Sequence, residues 1–118
     1  MHAELGKFYV SWRNQRGASY TTDYILDETF TLLFRRLSFK ESKSSLDVID
    51  LAIKEGYLHL ERITAERFEK AKRLRIKFQD TPGISFTDLT SITVMTEMGI
   101  TSILTPDGHF TYPLQKVW

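Results

Sequence analysis

A chain of 118 residues, 42% apolar and 26% charged, has the size and composition of one globular domain, with no room for a second core. Six Gly and three Pro are too few for a disordered chain, and no apolar run approaches the roughly 20 residues that cross a bilayer. Zero Cys exclude disulfides and thiolate metal sites, and the first residues carry no secretory signal, so a reducing cytoplasm is the expected compartment. The net charge of +1 leaves any attraction for nucleic acid to local clustering.

Leu5, Phe8, Tyr9 and Trp12 recur at helical spacing and predict an opening helix that docks on a core. Residues 17–22 read as a short strand, with Thr22 or Asp23 capping a helix that runs to about Leu37. On that helix Ile25, Leu32 and Leu33 share one side, and Asp23, Asp27, Thr31 and Arg35 form a polar row on another. Leu46, Ile49 and Ile53 predict a second helix ending at Gly56, and residues 57–63 alternate as a strand. Thr64 caps a further helix carrying Phe68, Ala71 and Phe78, which Pro82-Gly83 breaks. An amphipathic helix follows from about Thr87 to Met98, with Gly99 as its C-cap. Residues 100–105 form a buried-type strand, Pro106-Asp107-Gly108 a turn, and residues 113–118 a final edge strand. Strands alternating with helices predict an α/β sandwich with a mainly parallel sheet.

Three acids stand out against this pattern. Glu28 lies between Ile25 and Leu32, on the helix face expected to be buried, where a lone carboxylate is costly. Asp88 occupies the first turn of its helix, where the dipole favours an anion. Asp107 follows a strand at its carboxyl end, the rim at which open parallel sheets bind ligands. If the three converge, the fitting partner is a hard divalent cation, Mg²⁺ or Mn²⁺, able to activate water for phosphodiester cleavage. The plainer alternative makes Asp88 an N-cap acid, Asp107 a turn former beside Gly108 and Glu28 the partner of an Arg.

Two segments resemble the PIN-domain nucleases, most closely the VapC-like ribonuclease toxins of bacterial toxin–antitoxin pairs. Tyr20-Thr21-Thr22-Asp23-Tyr24-Ile25-Leu26-Asp27-Glu28-Thr29 is similar to the strand and helix that deliver the second acidic position of that family. Ile84-Ser85-Phe86-Thr87-Asp88, continuing through Met98-Gly99-Ile100 to Leu104-Thr105-Pro106-Asp107-Gly108-His109-Phe110, is similar to the third and fourth. The resemblance implies a PIN-like three-layer α/β/α sandwich over residues 1–118, with Glu28, Asp88 and Asp107 as catalytic and metal-binding residues for Mg²⁺ or Mn²⁺. It further implies an RNA substrate and a small antitoxin protein as partner.

The departures are equally specific. The family's central first strand, ending in Asp, has no counterpart here, so the domain reads as N-terminally shortened. Pro106 and Gly108 also replace the residues that usually flank the last acid. A buried parallel sheet without its central strand needs compensation, by direct pairing of the flanking strands, an exchanged segment or a tight homo-oligomer; self-association is the favoured expectation. A catalytically impaired PIN-like domain, kept as an oligomerising or protein-binding module, is the competing reading.

Between Arg62 and Lys77 seven Lys or Arg face only Glu66 and Glu69. That excess makes Arg67, Lys70 and Arg73 candidates for RNA binding, against the commoner role of such a helix as a solvated face. The aromatics Phe8, Tyr9, Trp12, Phe30, Phe34 and Phe68 fall on helical stripes and are assigned to core or subunit packing. His2 and His59 fit no zinc spacing, and no Ser-His-Asp or Gly-rich phosphate motif is present.

Overall fold

The structure, a computed structural model, describes residues 19–111; the expected opening helix and the edge strand at 113–118 lie outside the described residues. The element order is β1 (Ser19–Thr22), α1 (Asp23–Arg36), α2 (Phe39–Lys54), β2 (Leu58–Glu61), α3 (Ala65–Lys77), α4 (Phe86–Met98), β3 (Ser102–Thr105) and β4 (Gly108–Thr111). Each helix begins at a hydroxyl residue that accepts a backbone N–H of the first turn: Thr22 from Ile25, Ser38 from Glu41, Thr64 from Arg67 and Ser85 from Asp88. These caps satisfy donors that a helix start leaves unpaired. Gly56 (φ +83°) and Gly99 (φ +67°) end α2 and α4 in the left-handed region that a Cβ disfavours.

β1 and β2 pair in parallel, Ser19 opposite Leu58 and Thr22 opposite Glu61, as the α/β reading expects. β3 and β4 form an antiparallel hairpin instead, with Thr105 opposite Gly108. Neither Pro106 nor Asp107 adopts a positive φ, so the twist that a two-residue loop demands falls on Gly108 (φ +120°). No backbone ladder joins β1 to β3; the Thr21 hydroxyl crosses between them and donates to the Leu104 carbonyl at 3.0 Å.

Successive residues of a strand point to opposite faces, and β3 uses this to separate two helical layers. Leu104 packs with Leu26, Leu33, Ile49 and Ala52 of α1 and α2. Ile103 packs with Val94 and Met95 of α4 and with Ile25 at the start of α1. A third cluster, Ala71 and Leu74 with Leu89 and Ile92, joins α3 to α4. Helices thus cover β3 on both sides, the α/β/α layering anticipated from sequence. Every residue of α4 from Leu89 to Met95 is buried. Its threonines turn their hydroxyls inward onto helix carbonyls, Thr93 onto Leu89 and Thr96 onto Ile92, so no polar group is orphaned there.

Candidate functional site

α1, the first turn of α4 and the β3–β4 hairpin enclose an open cleft of about 240 Å³. Its lining includes Glu28, Asp88 and Asp107, residues separated by up to 79 positions in the chain, together with Ile25, Leu32, Thr87, Ser91, Thr105, Pro106 and Phe110. The three acids singled out by sequence therefore share one cavity. Their surroundings differ from expectation in one respect: Glu28 is exposed, not buried. The buried arc of α1 runs through Ile25, Thr29, Leu33 and Leu26, and Glu28 sits roughly 60° round the helix from Ile25 on its far side, at the cleft shoulder.

Asp88 combines two roles that the sequence left as alternatives. Its Oδ2 accepts the Ser85 N–H at 3.3 Å while the Ser85 hydroxyl accepts the Asp88 N–H at 3.0 Å, a reciprocal capping box. The box orients the carboxylate at the mouth of α4, and among the described residues Oδ1 takes no hydrogen bond. Asp107 rides the exposed turn of the hairpin, held by the register of β3 on β4 and by a 3.3 Å bond from the Thr105 hydroxyl to the Gly108 carbonyl. No Lys or Arg forms an ion pair with Glu28, Asp88 or Asp107 among the described residues. The alternative that Glu28 serves an Arg is thereby removed.

An uncompensated set of carboxylates around one cavity has the donor chemistry of a hard-cation site. Among the described residues, however, no three acidic or His side chains stand close enough to ligate one ion together. Mg²⁺ keeps several waters and binds proteins through one or two carboxylates, so the donors present fit a hydrated ion and not a bare one.

The basic candidates divide. Arg67 donates from Nε to Glu97 at 2.8 Å, from Nη2 to Glu61 at 3.1 Å and from Nη1 to the Arg62 carbonyl at 2.9 Å. Lys70 donates to the other Glu97 oxygen at 2.9 Å. Burial alone pushes the Glu97 carboxyl up, but the hydrogen bonds and charges of Lys70 and Arg67 prevail and hold it below the ordinary range. Burial likewise opposes the charge on Arg67, and Glu97 and Glu61 outweigh it to raise the guanidinium further. Arg67 and Lys70 are therefore committed to tying α3 to α4 and β2, a correction to their reading as an RNA-facing surface. Arg73 is exposed and carries no ion pair among the described residues.

Sequence reasoning also missed Ser91, which lines the cleft at 2% exposure, and Arg75. The Arg75 guanidinium donates to the carbonyls of Ile84, Phe78 and Thr81, clasping the loop that leads into α4. Of the aromatics, Phe30 packs on the core, but Phe34 is 48% and Phe39 73% exposed, their rings 6.4 Å apart.

A three-layer α/β/α arrangement with acids from a β–α unit, a helix start and a strand end defines a PIN-like protein. The comparisons sharpen this. No family model matches the chain. The 23S rRNA-specific endonuclease VapC20 of Mycobacterium tuberculosis, in strains CDC 1551 / Oshkosh and H37Rv, is 28% identical over 100 residues, spanning 85% of this chain and 72% of VapC20. The crystal structure of Mycobacterium tuberculosis VapC20, described as a Sarcin-Ricin loop cleaving toxin, superimposes with a TM-score of 0.67 at 27% identity, covering 88% of this chain and 76% of that one. The chain is VapC-like, and the resemblance read from its two acidic segments is borne out.

Proposed function

We propose that this protein is a metal-dependent endoribonuclease of the PIN type, a toxin whose Glu28, Asp88 and Asp107 hold hydrated Mg²⁺ or Mn²⁺ in the cleft. The observation that carries this reading is the sharing of one cavity by three carboxylates that no basic side chain neutralises. The likeness to an rRNA endonuclease supports RNA as the substrate class. Bound in the cleft, the ion supplies an activated water and stabilises charge at the phosphate. The chain's own part is to place the carboxylates: the capping box fixes Asp88, the hairpin presents Asp107, and α1 brings Glu28 to the opposite wall. Their negative field concentrates cations at the cleft and repels an RNA backbone that arrives without one. Arg73 is the one sequence-stated phosphate contact left unpaired, and we keep it in that role.

The same analogy supplies a cytoplasmic setting and a small antitoxin as protein partner. Self-association through the exposed Phe34 and Phe39 pair completes the proposal. A second reading, a catalytically impaired PIN-like module for oligomerisation or protein binding, is favoured by the absence of a directly ligating acidic trio among the described residues.

Titration of Mn²⁺ into the purified protein, followed by an RNA cleavage assay, separates the two. The nuclease reading expects saturable Mn²⁺ binding and cleavage, both lost in Asp88→Ala. A stable oligomer with no cation affinity and no cleavage supports the module.

A further inference from the structure

We infer that Ser91 is a positioning residue of the cleft, its hydroxyl holding a water of the bound cation. The inference rests on the cation site proposed above and adds a residue that neither the acidic pattern nor the segments of resemblance include.

α4 carries five hydroxyl residues, Thr87, Thr90, Ser91, Thr93 and Thr96. Three of them bond back to the helix: Thr90 to the Thr87 carbonyl at 2.6 Å, Thr93 to Leu89 and Thr96 to Ile92, each at 2.9 Å. The remaining two, Thr87 and Ser91, make no side-chain hydrogen bond among the described residues, and they are the two that line the cleft. The division follows position, because the carbonyl that Ser91 would reach one turn back is that of Thr87, already occupied by Thr90.

Thr87 is half-exposed and water satisfies it freely. Ser91 is different. At 2% exposure it is the only buried polar residue in the lining, one helical turn beyond Asp88 on the same face. A buried hydroxyl without a partner costs about 1–3 kcal/mol, so its natural complement is a polar group delivered into the cavity. The carboxylates stand too far apart to coordinate one ion directly, and water must fill the remaining positions of its shell. Such waters donate protons outward. A hydroxyl at the base of an anionic cleft accepts one, fixing the water's orientation as outer-sphere partners do in metal sites generally.

The test compares wild type, Ser91→Ala and Asp88→Asn with Mn²⁺ alone as the probe. Affinity is read from free Mn²⁺ by electron paramagnetic resonance, water exchange from ¹⁷O relaxation, and folding from the thermal midpoint. Ser91→Ala is expected to keep or raise the midpoint, since it removes an unpartnered buried hydroxyl and gains helix propensity. It is also expected to weaken Mn²⁺ binding roughly tenfold, with faster exchange of the bound water. A merely structural serine gives the reverse, a lower midpoint with affinity and exchange unchanged. Unaltered Mn²⁺ affinity and exchange in Ser91→Ala, with binding lost in Asp88→Asn, overturns the role of Ser91 and leaves the cation site standing. Wild-type protein that binds no Mn²⁺ overturns both.

Discussion

The Thr21 hydroxyl donates to the Leu104 carbonyl at 3.0 Å, joining β1 to β3 across 83 residues where no backbone ladder does. Both residues are fully buried. Thr21→Val keeps the shape and leaves that carbonyl without its hydroxyl donor, so it is expected to lower stability by about 1–3 kcal/mol. Urea unfolding measures this, and an unchanged midpoint would show that the junction is held by apolar packing alone.

The Arg67–Glu97–Lys70 cluster predicts an acid-sensitive tether between α3 and α4. The folded-state carboxyl of Glu97 lies below the ordinary 4.5, so its contribution to stability is full above that value and is lost as pH falls through the lowered one. Glu97→Gln should remove this component, reducing stability near neutral pH by on the order of 1 kcal/mol and flattening its decline below the ordinary value. Thermal midpoints of the two proteins between about pH 3 and 7 check the sign; parallel curves contradict it.

Arg75 closes the loop between α3 and α4 by donating to the carbonyls of Phe78, Thr81 and Ile84. Arg75→Met retains the aliphatic stem but not the fork of donors. Hydrogen exchange at the Thr81 and Ile84 amides, which close the loop's two turns onto Phe78 and Thr81, is expected to accelerate at least about tenfold. Protection equal to wild type would assign the loop's order to its backbone turns instead.

Ser85 and Asp88 separate capping from chemistry. Ser85→Ala is expected to cost about 1 kcal/mol of stability through loss of the helix cap. Asp88→Asn preserves an N-terminal acceptor and should cost less stability while abolishing Mn²⁺ binding. Equal metal affinity in both variants and wild type removes Asp88 from the site.

Much of this architecture was legible from local chemistry. Thr22 and Thr64 before amphipathic runs mark helix starts, and Gly56 and Gly99 mark helix ends, because caps and left-handed turns depend on one or two residues. Glu28, Asp88 and Asp107 were found because acids at helix faces and strand ends break the apolar pattern. What escaped depends on tertiary approach. Glu97 meets Arg67 across 30 residues, a pairing that no local window contains. β4 is a four-residue strand whose pairing with β3 follows from the hairpin and not from its own composition. Phe34 shares a helix with Leu33 yet points outward, since a single helical step of about 100° separates core from solvent. Ser91 was invisible because a serine in a threonine-rich helix has no signature until its neighbours' hydrogen bonds are known.

The central claim is that carboxylates from α1, α4 and the β3–β4 turn serve one hydrated ion. A crystal grown with Mn²⁺ and measured at the manganese absorption edge tests it most directly. The account predicts one anomalous peak inside the cleft, with Glu28, Asp88 and Asp107 reaching it directly or through a single water. An empty cleft under saturating Mn²⁺, in protein that still cleaves RNA, would contradict it.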